Sequence, residues 1–335
     1  MKNAGDNESL PVGLAEQIAD YLQSAGVCSA SNVEKIGGGG MNEVFLVDGK
    51  LIVRLSDRKD GETFRRENQI LRAIGGKIRA PKVILTDCSQ SRMACDIMVL
   101  EKIEGKTLAS SWHGLTERQK GSCIGQVCDE LKKLHGLSQQ GIPDSGETLS
   151  WAERFGMYVK GCLESASSDV QIDPRIVLFL KDYFLKNMRR LKEPIPQGLT
   201  HNDIHFGNIL VSEGNLAALL DFEYAGICPI DYESAKIINF CRTPAQYVEE
   251  EIQSPYDRPM PEVLEMFRES YPEMFGNEAL SVRQKLFLIP ETLWGFKLAH
   301  KPRPGSTSGV SPEELKRGQK TAYDRFDFFY GDKST

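Results

Sequence analysis

The chain has 335 residues, 40% hydrophobic and 26% charged, which is enough apolar material for one large domain or two lobes. A formal net charge of −6 argues against nucleic acid as a partner. No run reaches the roughly 18 apolar residues of a membrane span, and the start MKNAGDNESLPVG has no apolar signal core. Eight scattered cysteines form no C-x-x-C pair, so a reduced, cytoplasmic chain without zinc or a disulfide framework is expected.

Residues 12–25 repeat apolar side chains at helical spacing. From Val33 to Leu55 the texture changes to strands: VEKI, the glycine run 37–40, EVFLV, then KLIVRLS after the Asp48-Gly49 turn. Glycines at Gly37 and Gly39 let a backbone approach phosphates and turn its N–H groups towards them. A plain turn is the alternative. Strand alternation puts Arg54 opposite Val53 and Leu55. There it would hold α- and β-phosphates, or face solvent as most strand arginines do. A helix follows over 62–74. Its Glu67 has Thr63, Phe64, Ile70 and Leu71 at spacings of three and four, and none is basic, so no ion pair along its own helix is available. Glu67 is therefore either the partner of Arg54 or an unpaired surface glutamate.

Strands are expected over 83–87 and 96–103. The second runs into the turn MVLEKIEG (98–105). The Glu101 carbonyl and the Ile103 N–H there would meet the donor and acceptor edge of an adenine, with Val44 and Leu100 packing on the ring. A simple connecting strand is the alternative. The remainder reads as helices over 116–137, 149–166, 174–191, 232–241, 261–270, 280–299 and 312–329, with a surface loop over 301–312. A short hairpin, NILV-SEGN-LAALLDF, interrupts them. A strand-rich first third leading into a helix-rich remainder gives an α+β fold of two lobes, with the junction near 102–106.

The block 199–223, LTHNDIHFGNILVSEGNLAALLDFE, carries the chemistry. Asp203 is followed five positions later by Asn208, and a two-strand pattern then leads to Asp221. Phosphoryl transfer from ATP needs one carboxylate to take the acceptor's proton and hard oxygen ligands to hold Mg²⁺ against the phosphates. Asp203 fits the first role, and Asn208 with Asp221 the second. Glu223 is expected on the same strand face as Asp221. His201 is either a second base or a histidine that fixes the loop. A polar loop with a hairpin is the plain alternative for the whole block.

These residues resemble the aminoglycoside phosphotransferase/choline kinase superfamily of kinase-like enzymes, over roughly residues 33–241. HNDIHFGN (201–208) is similar to its catalytic loop H-x-D-x-x-x-x-N, and LLDFEYAG (219–226) to its metal-binding segment. MVLEKIEG resembles a kinase hinge, IVRL (52–55) the third strand, and LKKLHGL (131–137) a helix end of the group. DYESAKIINFCRTP (231–244) is similar to hygromycin-type phosphotransferases. The resemblance implies a bilobal protein-kinase-like fold, with residues 1–101 a nucleotide-clamping lobe and 102–335 a helical lobe holding the catalytic loop and acceptor site. It implies ATP and Mg²⁺ as cofactors, Asp203 as catalytic base, Asn208 and Asp221 as metal ligands, and Arg54 with Glu67 orienting the triphosphate. Gly37, Gly39, Val44, Leu100, Glu101 and Ile103 complete the candidate nucleotide contacts. Asn42 stands where kinases carry the third glycine, the catalytic loop lacks the arginine of H-R-D, and D-F-E replaces D-F-G. With no A-P-E segment after Asp221, these departures point away from a protein kinase and towards a small-molecule kinase.

Nine acidic side chains between 249 and 278, opposed only by Arg258 and Arg268, would draw a cationic acceptor. A solvated helix face is the alternative, and the plainer one. Trp294, Phe296 and Tyr232 are read as acceptor-pocket or core aromatics. The expected function is O-phosphorylation of a small molecule, with an aminoglycoside-type antibiotic ahead of choline, ethanolamine or sugar acceptors. A catalytically silent nucleotide-binding protein is the alternative class.

Overall fold

The computed structural model describes residues 13–39, 42–57, 61–143, 148–169, 171–248, 254–276, 280–299 and 312–331. Gly40 of the glycine run, Glu249, Glu250, Glu251 and Glu278 of the acidic stretch, and the 301–311 part of the expected loop lie outside them. The chain divides into two compact units, one of residues 1–76 with 80–104 and one of 77–79 with 105–335.

In the first unit, α1 (Leu14–Ser24) precedes β1 (Val33–Gly39), β2 (Asn42–Val47) and β3 (Leu51–Ser56). Then follow α2 (Glu62–Ile74), β4 (Val83–Asp87) and β5 (Asp96–Glu101). The strands form one antiparallel sheet in the order β1-β2-β3-β5-β4. In the β2–β3 turn Asp48 and Gly49 both take positive φ, 48° and 67°, the Lys50 N–H donates to the Val47 carbonyl at 2.9 Å, and pairing resumes at Val47 with Leu51. α1 buries Ile18, Tyr21 and Leu22 against Phe45, Val47, Val53 and Val99 of the sheet.

The second unit starts with β6 (Lys106–Thr107), α3 (Leu108–Ser111), α4 (Glu117–His135), α5 (Trp151–Ser167) and α6 (Pro174–Asn187). Next come β7 (Gln197–Thr200), β8 (Ile209–Ser212), β9 (Asn215–Leu219) and β10 (Gly226–Pro229). It ends with α7 (Ile230–Arg242), α8 (Pro261–Ser270), α9 (Pro272–Phe275), α10 (Val282–Leu298) and α11 (Pro312–Tyr330). Three helix starts are set by the sequence itself: Thr116 with Gln119, Ser150 with Glu153 and Ser281 with Gln284 form reciprocal capping boxes for α4, α5 and α10. The helix expected over 174–191 tightens into a 3₁₀ turn at Met188–Lys192. Two small sheets frame the site, β6-β8-β9 and β10-β7. All eight cysteines are free thiols, and no helix among the described residues is long and apolar enough to cross a membrane.

Candidate active site

The loop between β7 and β8 carries His201 to Asn208, and buried groups hold it at both ends. Glu233 on α7 is fully buried and accepts the backbone N–H of His201 at 2.6 Å and of Asn202 at 2.8 Å. Asn202 sits at φ 66°, a left-handed conformation that asparagine tolerates better than most residues, and its amide donates to the Tyr224 carbonyl at 2.9 Å. His201 is buried, with Nε2 2.8 Å from the Leu220 carbonyl. The Leu220 N–H in turn donates to the Asn208 carbonyl at 2.8 Å. The Leu220 peptide is thus pinned on both sides by the 201–208 loop, and this fixes Asp221 relative to Asn208. Asp221 is not on a strand, as the expected shared face with Glu223 requires. β9 ends at Leu219, and a φ of 61° at Asp221 turns the chain.

Within the loop, the Gly207 N–H donates to His205 Nδ1 at 3.1 Å. That makes Nδ1 the acceptor and leaves the ring proton on Nε2, 3.5 Å from Asp203 Oδ2. Asn208 Nδ2 donates to both the Asp203 carbonyl and Asp203 Oδ2 at 3.0 Å. Burial pushes the Asp203 carboxyl up, but the bond to His205 and the neighbouring His205, His201 and Lys236 outweigh it and hold it below the ordinary carboxylate value. The side chain keeps 26% of its surface exposed, and Oδ1 accepts no bond from the described residues. Because both Asn208 bonds need a donor, they set the amide's orientation and leave its Oδ1 as a hard oxygen ligand. Among the described residues no cluster of three or more His, Cys, Asp or Glu could hold a metal alone. One carboxylate with one amide oxygen is instead a donor set suited to Mg²⁺ shared with phosphates.

Asp203 lines a cavity of about 850 Å³ inside the second unit. α5 contributes Tyr158 and Cys162, α7 contributes Tyr232 and Lys236, and α10 contributes Glu291, Trp294 and Lys297. Tyr224 and Tyr247 add two more aromatic rings. Trp294 is 52% exposed and is not core. Phe296, in contrast, is buried and stacks edge-on with Tyr323. None of the described acidic residues from 254 to 276 lines this cavity. Among the described residues its acids are Asp203 and Glu291, and Lys236 and Lys297 match them in number.

In the first unit, Arg54 and Glu67 are both buried, and one guanidinium nitrogen lies 2.7 and 2.9 Å from the two Glu67 oxygens. The readings of Arg54 as solvent-facing and of Glu67 as an unpaired surface residue are therefore corrected. The Phe64 ring, 5.3 Å from the guanidinium, helps to keep it from water. Gly37 pairs with Val44 after a bulge in β1, and Gly39 pairs with Asn42. Leu100 is buried on β5. The Glu101 N–H donates to the Lys82 carbonyl at 2.9 Å, whereas the Ile103 N–H donates to none of the described residues.

Sequence reasoning missed His205, Glu233, Lys236 and Glu291. A second histidine two places after Asp203 was a signal for the first. Lys236, one helical turn after Tyr232, was a faint one.

A strand-rich unit and a helical unit carrying this loop define a protein-kinase-like fold of the small-molecule phosphotransferase type. The profile of the phosphotransferase enzyme family (APH) matches residues 32–267, and the chain belongs to that family. Among solved structures, the streptomycin–ATP–APH(2")-IIa ternary complex aligns with a TM-score of 0.63 and 16% identity, over 94% of this chain and 97% of that one. Aminoglycoside phosphotransferase APH(4)-Ia aligns with a TM-score of 0.64 and 16% identity, over 95% and 100%. These likenesses establish the fold. Probable choline kinase 3 of Arabidopsis thaliana is 41% identical over 153 residues, 44% of this chain and 40% of the relative. Probable choline kinase 2 of the same plant is 26% identical over 124 residues, 37% and 34%. The matches thus span between a third and two-fifths of the length of these curated relatives.

Proposed function

We propose that this chain transfers a phosphoryl group from ATP to the hydroxyl of a small amino alcohol with a single cationic head, of the choline or ethanolamine class. The observation that carries this is the cavity beside Asp203, whose described lining has five aromatic side chains and acids and bases in equal number. A lone ammonium gains from aromatic faces without needing an acidic wall. A polycationic aminoglycoside needs that wall, and none of the described acidic residues of the expected stretch lines the cavity. The names of the plant relatives point to choline.

In this reading Asp203 Oδ1 orients the acceptor hydroxyl and receives its proton, while Asn208 and His205 hold Oδ2. A depressed carboxyl stays ionised at neutral pH, as an accepting base must. Asn208 Oδ1 and Asp221 would hold Mg²⁺, which when bound offsets phosphate charge. Arg54, oriented by Glu67, is assigned to the phosphates, with the Gly37–Gly39 backbone beside them. Val44, Leu100, Glu101 and Ile103 are assigned to the base. Residues 1–101 then serve the nucleotide, and 102–335 the acceptor.

ADP release with Mg²⁺·ATP, measured over choline, ethanolamine, kanamycin, hygromycin and amino sugars, tests the reading. Turnover is expected with an amino alcohol. Turnover confined to aminoglycosides would overturn the acceptor class. ATP binding with no turnover of any acceptor would favour a silent nucleotide-binding protein.

A further inference from the structure

Lys236 and Glu291 face each other across the acceptor cavity from α7 and α10. They form a tight ion pair in which each side chain is only 21% exposed. The Lys236 ammonium also lies 5.3 Å from the centre of the Tyr232 ring. Pro290, just before Glu291, lacks the N–H of a normal helical residue and lines the same cavity. The remaining cation, Lys297, is bonded to Ser165 Oγ at 2.7 Å. A surface pair so placed would be energetically minor. Here it lines the cavity assigned to the acceptor, and it occupies the one carboxylate besides Asp203 that the described lining offers a second ammonium group.

We propose that Lys236 sets the charge of the acceptor: by occupying Glu291 and one aromatic face it limits the cavity to singly cationic heads and excludes polycations. This rests on the reading that the cavity receives the acceptor. Two mechanisms combine. Like charge from Lys236 and Lys297 opposes each added ammonium group at close range. A polycation would also leave an ammonium group desolvated with no carboxylate to meet it. Removing Lys236 frees Glu291 and makes the cavity net acidic.

A charge ladder read by calorimetry on the full-length chain tests this without any turnover: ethanolamine, 1,4-diaminobutane and spermidine carry one, two and three positive charges. Lys236→Met is expected to tighten spermidine binding at least tenfold and diaminobutane less. Lys236→Arg is expected to leave the wild-type order. The double variant Lys236→Met/Glu291→Gln should lose the gain, because the gain depends on the freed carboxylate. Spermidine affinity within twofold of wild type in Lys236→Met overturns the proposal, as does a double variant that keeps the gain. If Lys236→Met melts below the assay temperature, Lys236→Gln serves the same comparison. Because binding is the readout, absence of phosphorylation in the acceptor panel would strike the phosphotransferase reading and leave this test intact.

Discussion

At the scale of single residues, Asp203 and Glu233 do different work and should fail differently. Asp203→Asn removes the proposed proton acceptor but keeps the shape, so kcat should fall by about 10²–10⁴ while ATP affinity, from equilibrium titration, stays near wild type. Near-full turnover in this variant would mean another group is the base. Glu233 touches no reacting atom. It positions the loop by accepting two buried N–H groups and approaching His135 at 3.5 Å. Glu233→Ala strands both donors, at a cost of about 1–3 kcal/mol each. Melting should shift down, and hydrogen exchange at the His201 and Asn202 amides should accelerate, with Glu233→Gln intermediate. That Asp203 and Asn208 lie together was legible in the sequence because their five-residue spacing is local. Glu233 was not. It lies 32 positions beyond His201, on a helix whose pattern marks it only as one polar position among several.

Among the elements, the least conspicuous strands matter most for the site. The long helices and the first sheet follow from periodicity, and capping boxes mark three helix starts. β6, β7 and β10 have two to four residues each, too few to show a period, and went unread. Yet β7 delivers the candidate catalytic loop, and β10 pairs with β7 as the chain returns from Asp221. β7 must also pass close to the end of α4. A Cβ at Gly198 would lie 2.4 Å from the His135 carbonyl oxygen and 2.8 Å from its Cα, both backbone atoms that cannot swing aside. Gly198→Ala should therefore cost about 1–3 kcal/mol by overpacking. It should also lower kcat, because displacing His135 disturbs Glu233 and through it the loop. A variant that loses stability with unchanged kcat would show that β7 moves without its loop. Chemical denaturation and steady-state kinetics on one preparation separate the two effects. Helix α10 was legible as a helix despite Pro290, but its role as cavity wall was not, because sequence spacing cannot tell a half-exposed Trp294 from a buried one.

For the whole molecule, the α+β class and kinase-like fold could be read because motif order along the chain is strict: glycine hairpin, strand arginine, helix glutamate, hinge, catalytic loop, metal segment. Acceptor choice could not be read in the same way, because total charge and cavity charge are separate quantities. The chain carries −6 overall, with a dense acidic stretch from 249 to 278, yet the described lining of the cavity is balanced. A distant surface field speeds the arrival of a cation and is lost to screening, whereas contact with aromatic faces is not. Raising ionic strength from 0.05 to 0.3 M shortens the screening length from about 14 Å to about 6 Å. If recognition sits in the cavity, kcat/KM for a singly charged amino alcohol should fall by less than about twofold over that range, with KM carrying the small change. A tenfold fall would place recognition on the acidic surface. The same titration on Lys236→Met with a triply charged alcohol should be steep, because there the attraction comes from a freed carboxylate facing several ammonium groups. Shallow dependence in wild type and steep dependence in the variant would separate steering by the whole molecule from selection by one partly buried ion pair.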